Sequence, residues 1–179
     1  RPLARELPHL LDDFPRSEHP RDRRFEPLLR RIGGLARENN LALINLAASL
    51  LDPGESYVEV GSYKGLSLAA ALGGNDGDFV GIDSFELGDG SRQLLDQNLG
   101  GVGYTILEGD AFELLPTLDR RLGVYYYDAA HDYESQLRGL RIVEPRPAPG
   151  ALMILDATDW GRVDRAGAAT LAPQPRARA

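Results

Sequence analysis

Acidic residues recur in this chain at one kind of place. Glu59 stands near the end of SYVEV, Asp83 ends DFVGID, Asp110 follows TILEG, Asp128 ends VYYYD and Asp156 ends MILD. Each run is short and rich in β-branched, aliphatic or aromatic residues, and a small residue follows, so each acid sits where a strand gives way to a turn. Carboxylates there can accept hydrogen bonds from a ligand's hydroxyls, hold a cation or take a proton. One imidazole joins them. His131, three residues after Asp128, is the only histidine beyond residue 19. An unperturbed imidazole titrates at about pH 6.5, which suits a general base at neutral pH. Its local reading is a residue beside the start of a helix near Asp132, bonding that helix's first turn.

The turn after the first run narrows the ligand. YVEVGSYKGLSLAAAL, residues 57–72, reads as strand, glycine turn and helix start. A dinucleotide site needs closely spaced glycines so that the backbone can approach a pyrophosphate. Here Tyr63 stands between Gly61 and Gly65, and a bulky side chain at that point crowds a pyrophosphate. The helix that follows still offers N–H groups to a carboxylate. Asp83, about twenty residues on, is placed to accept both hydroxyls of a ribose. Gly109-Asp110-Ala111 adds an acid and a small residue where an adenine ring could lie. An adenosine with a carboxylate and no pyrophosphate describes S-adenosylmethionine. Asp83 and Asp110 also have a local reading, as caps of the helices that follow them.

The acids act together only if their strands lie side by side. β-rich runs at 56–60, 78–83, 103–107, 122–127 and 151–156 alternate with helical patterns at 64–73, 89–99, 111–118 and 132–143. That alternation predicts an α/β fold, a Rossmann-like doubly wound and mostly parallel sheet of order 3-2-1-4-5. Ligands of such sheets bind beyond the carboxyl ends of the strands, where the order reverses. Asp128 and Asp156 then end neighbouring strands about 4.8 Å apart, and two carboxylates over one cleft can hold Mg²⁺. Tyr125-Tyr126-Tyr127 reads as a strand packed on alternate faces. Residues 1–55 read as a helical cap or lead-in, with a charged connector at PRSEHPRDRR and interruptions at Gly33-Gly34 and Asn39-Asn40. Residues 56–179 form the ligand-binding core, within a single domain overall.

Composition sets outer limits. A chain of 179 residues, 42% of them apolar, suits one domain with a real core. With 20 basic and 27 acidic residues the net charge is −7, which disfavours a nucleic-acid partner. There is no cysteine, so disulfides, thiol nucleophiles and cysteine zinc sites are excluded. The most apolar run, LALINLAASLL, is too short to span a membrane. Lys64 is the sole lysine beside the arginines, the mark of a GC-rich bacterial genome rather than of chemistry. The chain starts at Arg1 without methionine. DWGRVDRAGAATL reads as a last helix, and nothing after it reads as another strand. A longer natural chain with further C-terminal strands is therefore expected.

In order and spacing, Glu59-x-Gly61-x-x-x-Gly65, Asp83 and Gly109-Asp110-Ala111 resemble the class I S-adenosylmethionine-dependent methyltransferases, over residues 40–172. YYYDAAHDYESQLRGLRIVEPRPAPGALMILDATDW is similar to the small-molecule O-methyltransferase branch that includes macrocin O-methyltransferase and cephalosporin-hydroxylase-like proteins. There a D-x-x-H-x-Y element follows the fourth strand and a Pro-Gly turn leads into the fifth. The resemblance implies Glu59, Gly61 and Ser62 near the methionine portion, Asp83 on the ribose, and Asp110 and Ala111 by the adenine. Tyr63, Gly65, Ser84 and Asp128 complete the expected cofactor lining. It implies a cytoplasmic enzyme acting on a small-molecule hydroxyl, with Asp128 and His131 at the reacting end. Metal-dependent relatives carry Asp or Asn where this chain has Ala157, so Asp159 is the substitute third ligand beside Asp128 and Asp156; Ala130 likewise stands where many relatives have an acid. Two other classes remain: an NAD-dependent oxidoreductase, opposed by Tyr63 and the lack of a Tyr-x-x-x-Lys pair, and a non-catalytic binding protein.

Overall fold

The runs of strand formers become five parallel strands: β1 (Ser56–Val60), β2 (Asp78–Asp83), β3 (Thr105–Glu108), β4 (Leu122–Tyr127) and β5 (Pro147–Leu155). They form one sheet of order β3-β2-β1-β4-β5, as predicted. The computed structural model describes residues 2–16, 18–86, 88–101 and 103–156. The sequence readings that involve Ala157, Asp159 and the helix at 159–171 lie outside those residues, as do any further strands.

Three helices, α1 (Leu3–Leu10), α2 (Glu26–Ile32) and α3 (Glu38–Ser49), precede the sheet. Between the strands lie α4 (Leu66–Leu72), α5 (Arg92–Leu99), α6 (Ala111–Leu114) with a 3₁₀ turn at Leu115–Thr117, and α7 (Tyr133–Val143). Alternation along each strand gives the sheet two apolar faces. Tyr57, Phe79, Ile106, Val124 and Tyr126 face α3, α4 and α5. Val58, Val60, Val80, Ile82, Tyr125 and Tyr127 face α7 and the 3₁₀ turn. A smaller cluster of Phe25, Ile32, Leu41, Leu66 and Ala70 ties α2 and α3 to α4.

Two local expectations change, and the one at Gly33-Gly34 holds. Asn39 and Asn40 do not interrupt a helix; they stand in the first turn of α3, where N–H groups need no intrahelical partner. The break falls at Gly33, whose φ of +69° ends α2. The segment Pro147–Gly150 is not a turn before β5 but its first part. Register jumps there, from Leu122↔Pro147 to Val124↔Leu152, and β5, the outer strand among the described residues, tolerates the missing proline N–H groups at such an irregularity.

Two polar features are built into this core. Glu59 is fully buried; its Oε2 accepts from the Tyr57 hydroxyl at 2.8 Å and its Oε1 from Ser67 at 3.2 Å. Burial pushes its pKa up to about 7, the field of Asp128 adding to the rise and the hydroxyls of Tyr57, Ser62 and Ser67 opposing it. Gly61, at φ +94°, lies so close to β4 that a Cβ would stand 1.9 Å from the Asp128 carbonyl oxygen.

Each feature yields an expected outcome. An acid with a raised folded pKa contributes most below its ordinary value of 4.5, and that contribution is lost as pH rises to about 7. Glu59→Gln removes the titration, so the variant should gain on wild type by up to about 3 kcal/mol across that window. Urea denaturation at matched ionic strength measures the difference; a flat difference refutes the assignment. Gly61→Ala should cost about 2–5 kcal/mol, from left-handed strain plus overpacking against backbone. Its urea midpoint would have to stay at the wild-type value for the close approach to be wrong.

Candidate functional site

Tyr57, Phe79, Tyr126 and Ile154 face α3–α5. Two-residue steps from the same face lead to Glu59, Asp83, Asp128 and Asp156, so all four acids turn to one side. The ladder continues past the strand ends: the Asp128 N–H donates to the Val60 carbonyl at 2.8 Å, and the Asp156 N–H to that of Tyr127 at 3.0 Å. Between β1 and β4 the strand order reverses, because α4 packs on one face and α7 on the other. A cleft is expected at that point.

The first turn is held largely by its backbone. Gly61 N–H donates to Ile82 at 2.9 Å and Gly65 N–H to Ser62 at 2.7 Å. Gly65, at φ +86°, leads into α4, and a Cβ there would meet Leu95 and Leu99 at 3.2 Å. Asp83 caps no helix. Its Oδ2 accepts the Tyr63 N–H at 2.6 Å, its Oδ1 the Phe85 N–H at 2.7 Å, and its carbonyl the Gly109 N–H at 3.0 Å. Ser91, not Asp83, caps α5. Tyr63 brings its main chain to Asp83, while its ring packs against the 88–90 segment. There a Cβ on Gly90 would come within 2.5 Å of Tyr63 Cδ2. Its hydroxyl donates to Asp89, which Lys64 also meets at 2.7 Å; Lys64 first, then Tyr63, holds the Asp89 carboxyl down at about 2. Ser84 is exposed on the loop after Asp83. Asp110 caps α6, accepting the Phe112 N–H at 2.7 Å, and Ala111 packs on the α7 side of the sheet.

At the other side of β1, Asp128 accepts the Tyr126 hydroxyl at 2.9 Å. His131 Nε2 lies 3.8 Å from its Oδ1. One donor atom each from Asp128, His131 and Asp156 come within 4.8 Å of one another. Burial first, and then the charge of Asp156, raise Asp128 well above the usual carboxylate range. The helix-capping role near His131 belongs to Asp132, whose carboxylate accepts the Ser135 N–H at 2.9 Å. Two carboxylates and an imidazole this close fit a divalent cation.

Sequence reading missed Asn40. Its amide donates to Asp156 Oδ1 at 3.4 Å, so α3 reaches the acid cluster from far away in the chain, and no local pattern marks that contact. The tyrosines carried a signal that went unused. Tyr57-x-Glu59 and Tyr126-x-Asp128 place hydroxyl and acid on one face of a strand, and both pairs are hydrogen-bonded.

No curated protein matches the chain in a sequence comparison. Solved structures share its fold. An O-methyltransferase from Bacillus cereus in complex with S-adenosylhomocysteine superposes with a TM-score of 0.61 at 14% identity, over 88% of this chain and 82% of that one. A provisionally named O-methyltransferase from Klebsiella pneumoniae gives 0.63 at 21%, over 88% and 81%. The S-adenosylhomocysteine-bound methyltransferase PaMTH1 of Podospora anserina gives 0.58 at 18%, over 74% of this chain but only 59% of its own. The family described as methyltransferase domain matches residues 58–158, more than half of the chain, from within β1 to just past the end of β5. The chain therefore belongs to the methyltransferase-domain family.

Proposed function

We propose that this chain transfers the methyl group of S-adenosylmethionine to a hydroxyl oxygen of a small molecule. One observation carries the oxygen assignment: the Asp128–His131–Asp156 cluster lies beside the cofactor turn, where a proton must be removed. The finer placement, beside macrocin O-methyltransferase, rests on Asp128-x-x-His131-x-Tyr133.

In this reading Glu59, Gly61, Ser62 and Gly65 surround the methionine portion. Asp83 takes the ribose hydroxyls, Asp110 and Ala111 flank the adenine, and Tyr63 and Ser84 border the pocket. Each Asp83 oxygen holds one N–H of the protein and keeps a lone pair for a ribose hydroxyl. Residues 1–55 form the acceptor side, and Asn40 is their contribution to the cluster. The acceptor oxygen attacks the methyl carbon, the carbon–sulfur bond breaks, and sulfur leaves as the thioether of S-adenosylhomocysteine. The hydroxyl proton is lost within the cluster, where His131 Nε2 lies 3.8 Å from Asp128 Oδ1. A divalent cation held by Asp128, Asp156 and His131 would supply positive charge that acidifies the hydroxyl. Alignment of oxygen, methyl and sulfur supplies much of the remaining rate.

Mass spectrometry of a panel of sugars, phenols and polyketides incubated with enzyme and labelled S-adenosylmethionine tests the reaction. The reading expects label on oxygen for at least one class. His131→Ala should cut turnover by about 10²–10⁴-fold with little change in S-adenosylhomocysteine affinity. Full activity in an Asp128→Ala, His131→Ala double variant would remove the cluster from the reaction. Asp83→Ala should weaken S-adenosylhomocysteine binding about 10- to 100-fold, since hydrogen bonds to a charged group contribute about 1.5–3 kcal/mol. Calorimetry on the folded variant checks it, and unchanged affinity would clear Asp83 of the ribose.

A further inference from the structure

We propose that Asp128, Asp156 and His131 bind a divalent first-row transition ion with His131 as nitrogen donor, and that Mg²⁺ is not the ion this site prefers. The ion's purpose rests on the methyl-transfer reading; its binding does not.

Donor chemistry decides the ion. Mg²⁺ takes oxygen ligands in near-ideal octahedra and keeps several waters, whereas imidazole suits iron, cobalt, nickel, copper and zinc. Two donors on one such ion, each about 2.1 Å from it, stand at most about 4.2 Å apart. The 3.8 Å between His131 Nε2 and Asp128 Oδ1 already meets that limit. The whole three-atom group, within 4.8 Å, needs only a small side-chain adjustment. Three elements supply it: the end of β4, the turn before α7 and the end of β5. The ladder hydrogen bonds Asp128 N–H to Val60 and Asp156 N–H to Tyr127 fix two of those ends. Tyr126 and Asn40 then orient the two carboxylates, the outer hydrogen bonds that a metal's ligands characteristically have.

Charge points the same way. Among the described residues, the ion pair that Asp128 makes is with His131, and no lysine or arginine is paired with either acid. Two half-buried carboxylates this close repel one another, and a cation between them relieves the repulsion. The helix that follows the imidazole is capped by Asp132.

The test uses the tag-free full chain and Co²⁺ alone as probe, followed by its visible absorbance. One Co²⁺ per chain is expected. His131→Ala should weaken it by at least about tenfold, the lower bound seen when even a ligand's hydrogen-bonding partner is lost, and equimolar Mg²⁺ should not displace it. A wild-type measurement stands beside the variant in case the variant fails to fold: Zn²⁺ added to protein with labelled histidines. Of the three imidazoles, His9, His19 and His131, the His131 signal should shift. Co²⁺ affinity unchanged in folded His131→Ala, a shift confined to His9 or His19, or displacement by equimolar Mg²⁺ would each overturn the proposal. S-adenosylhomocysteine calorimetry on the same protein keeps the two readings apart. Cofactor binding without Co²⁺ binding sinks this inference alone, and absent cofactor binding sinks the methyl-transfer reading alone.

Discussion

The contact on which the site depends is the backbone approach of β1 to β4 just past their ends. Asp128 donates its N–H to Val60, and its carbonyl passes so near Gly61 that no side chain fits there. At this point the two strands must send their chains to opposite faces, α4 to one and α7 to the other. The cleft expected there is bordered by whatever the strands present last. Because Asp83, Asp128 and Asp156 share one parity, with the buried Glu59 behind them, that border is acidic, and the ligand it suits carries positive charge or hydroxyl groups.

Holding so many acids together requires compensation, and the core supplies it through hydroxyls rather than cations. Tyr57 and Ser67 bond Glu59, and Tyr126 bonds Asp128. A hydroxyl donor lowers the cost of a buried carboxylate without neutralising it. Lys64, in contrast, is spent on Asp89 at the surface. The tyrosines of β1 and β4 therefore serve two ends at once, apolar ring in the core and hydroxyl at the cleft, as their amphipathic shape allows.

Much of this was legible in the sequence because it follows from period and turn chemistry. Strand and helix alternation gave the sheet, and glycines at 61 and 65 marked the turn that their positive φ angles require. Asp128 and Asp156 were placed together from strand neighbourhood alone, and the ladder brings them together. What stayed hidden is what depends on distance in the chain or on fine register. Asn40 meets Asp156 only because α3 lies on the same face of the sheet. The start of β5 was misread because two prolines and a glycine look like a turn, while pairing with β4 holds them extended. Tyr63 was read for its side chain, yet its N–H is what meets Asp83.

That last contact bears on how the pocket spends entropy. Asp83 is gripped by two main-chain donors, from Tyr63 and Phe85, and by the Gly109 N–H on its own carbonyl. Three loops thus converge on one residue in the folded protein itself. Loops tied in this way are ordered as the chain folds, so a ligand that reaches Asp83 has less ordering to drive and keeps more of its contact energy as affinity.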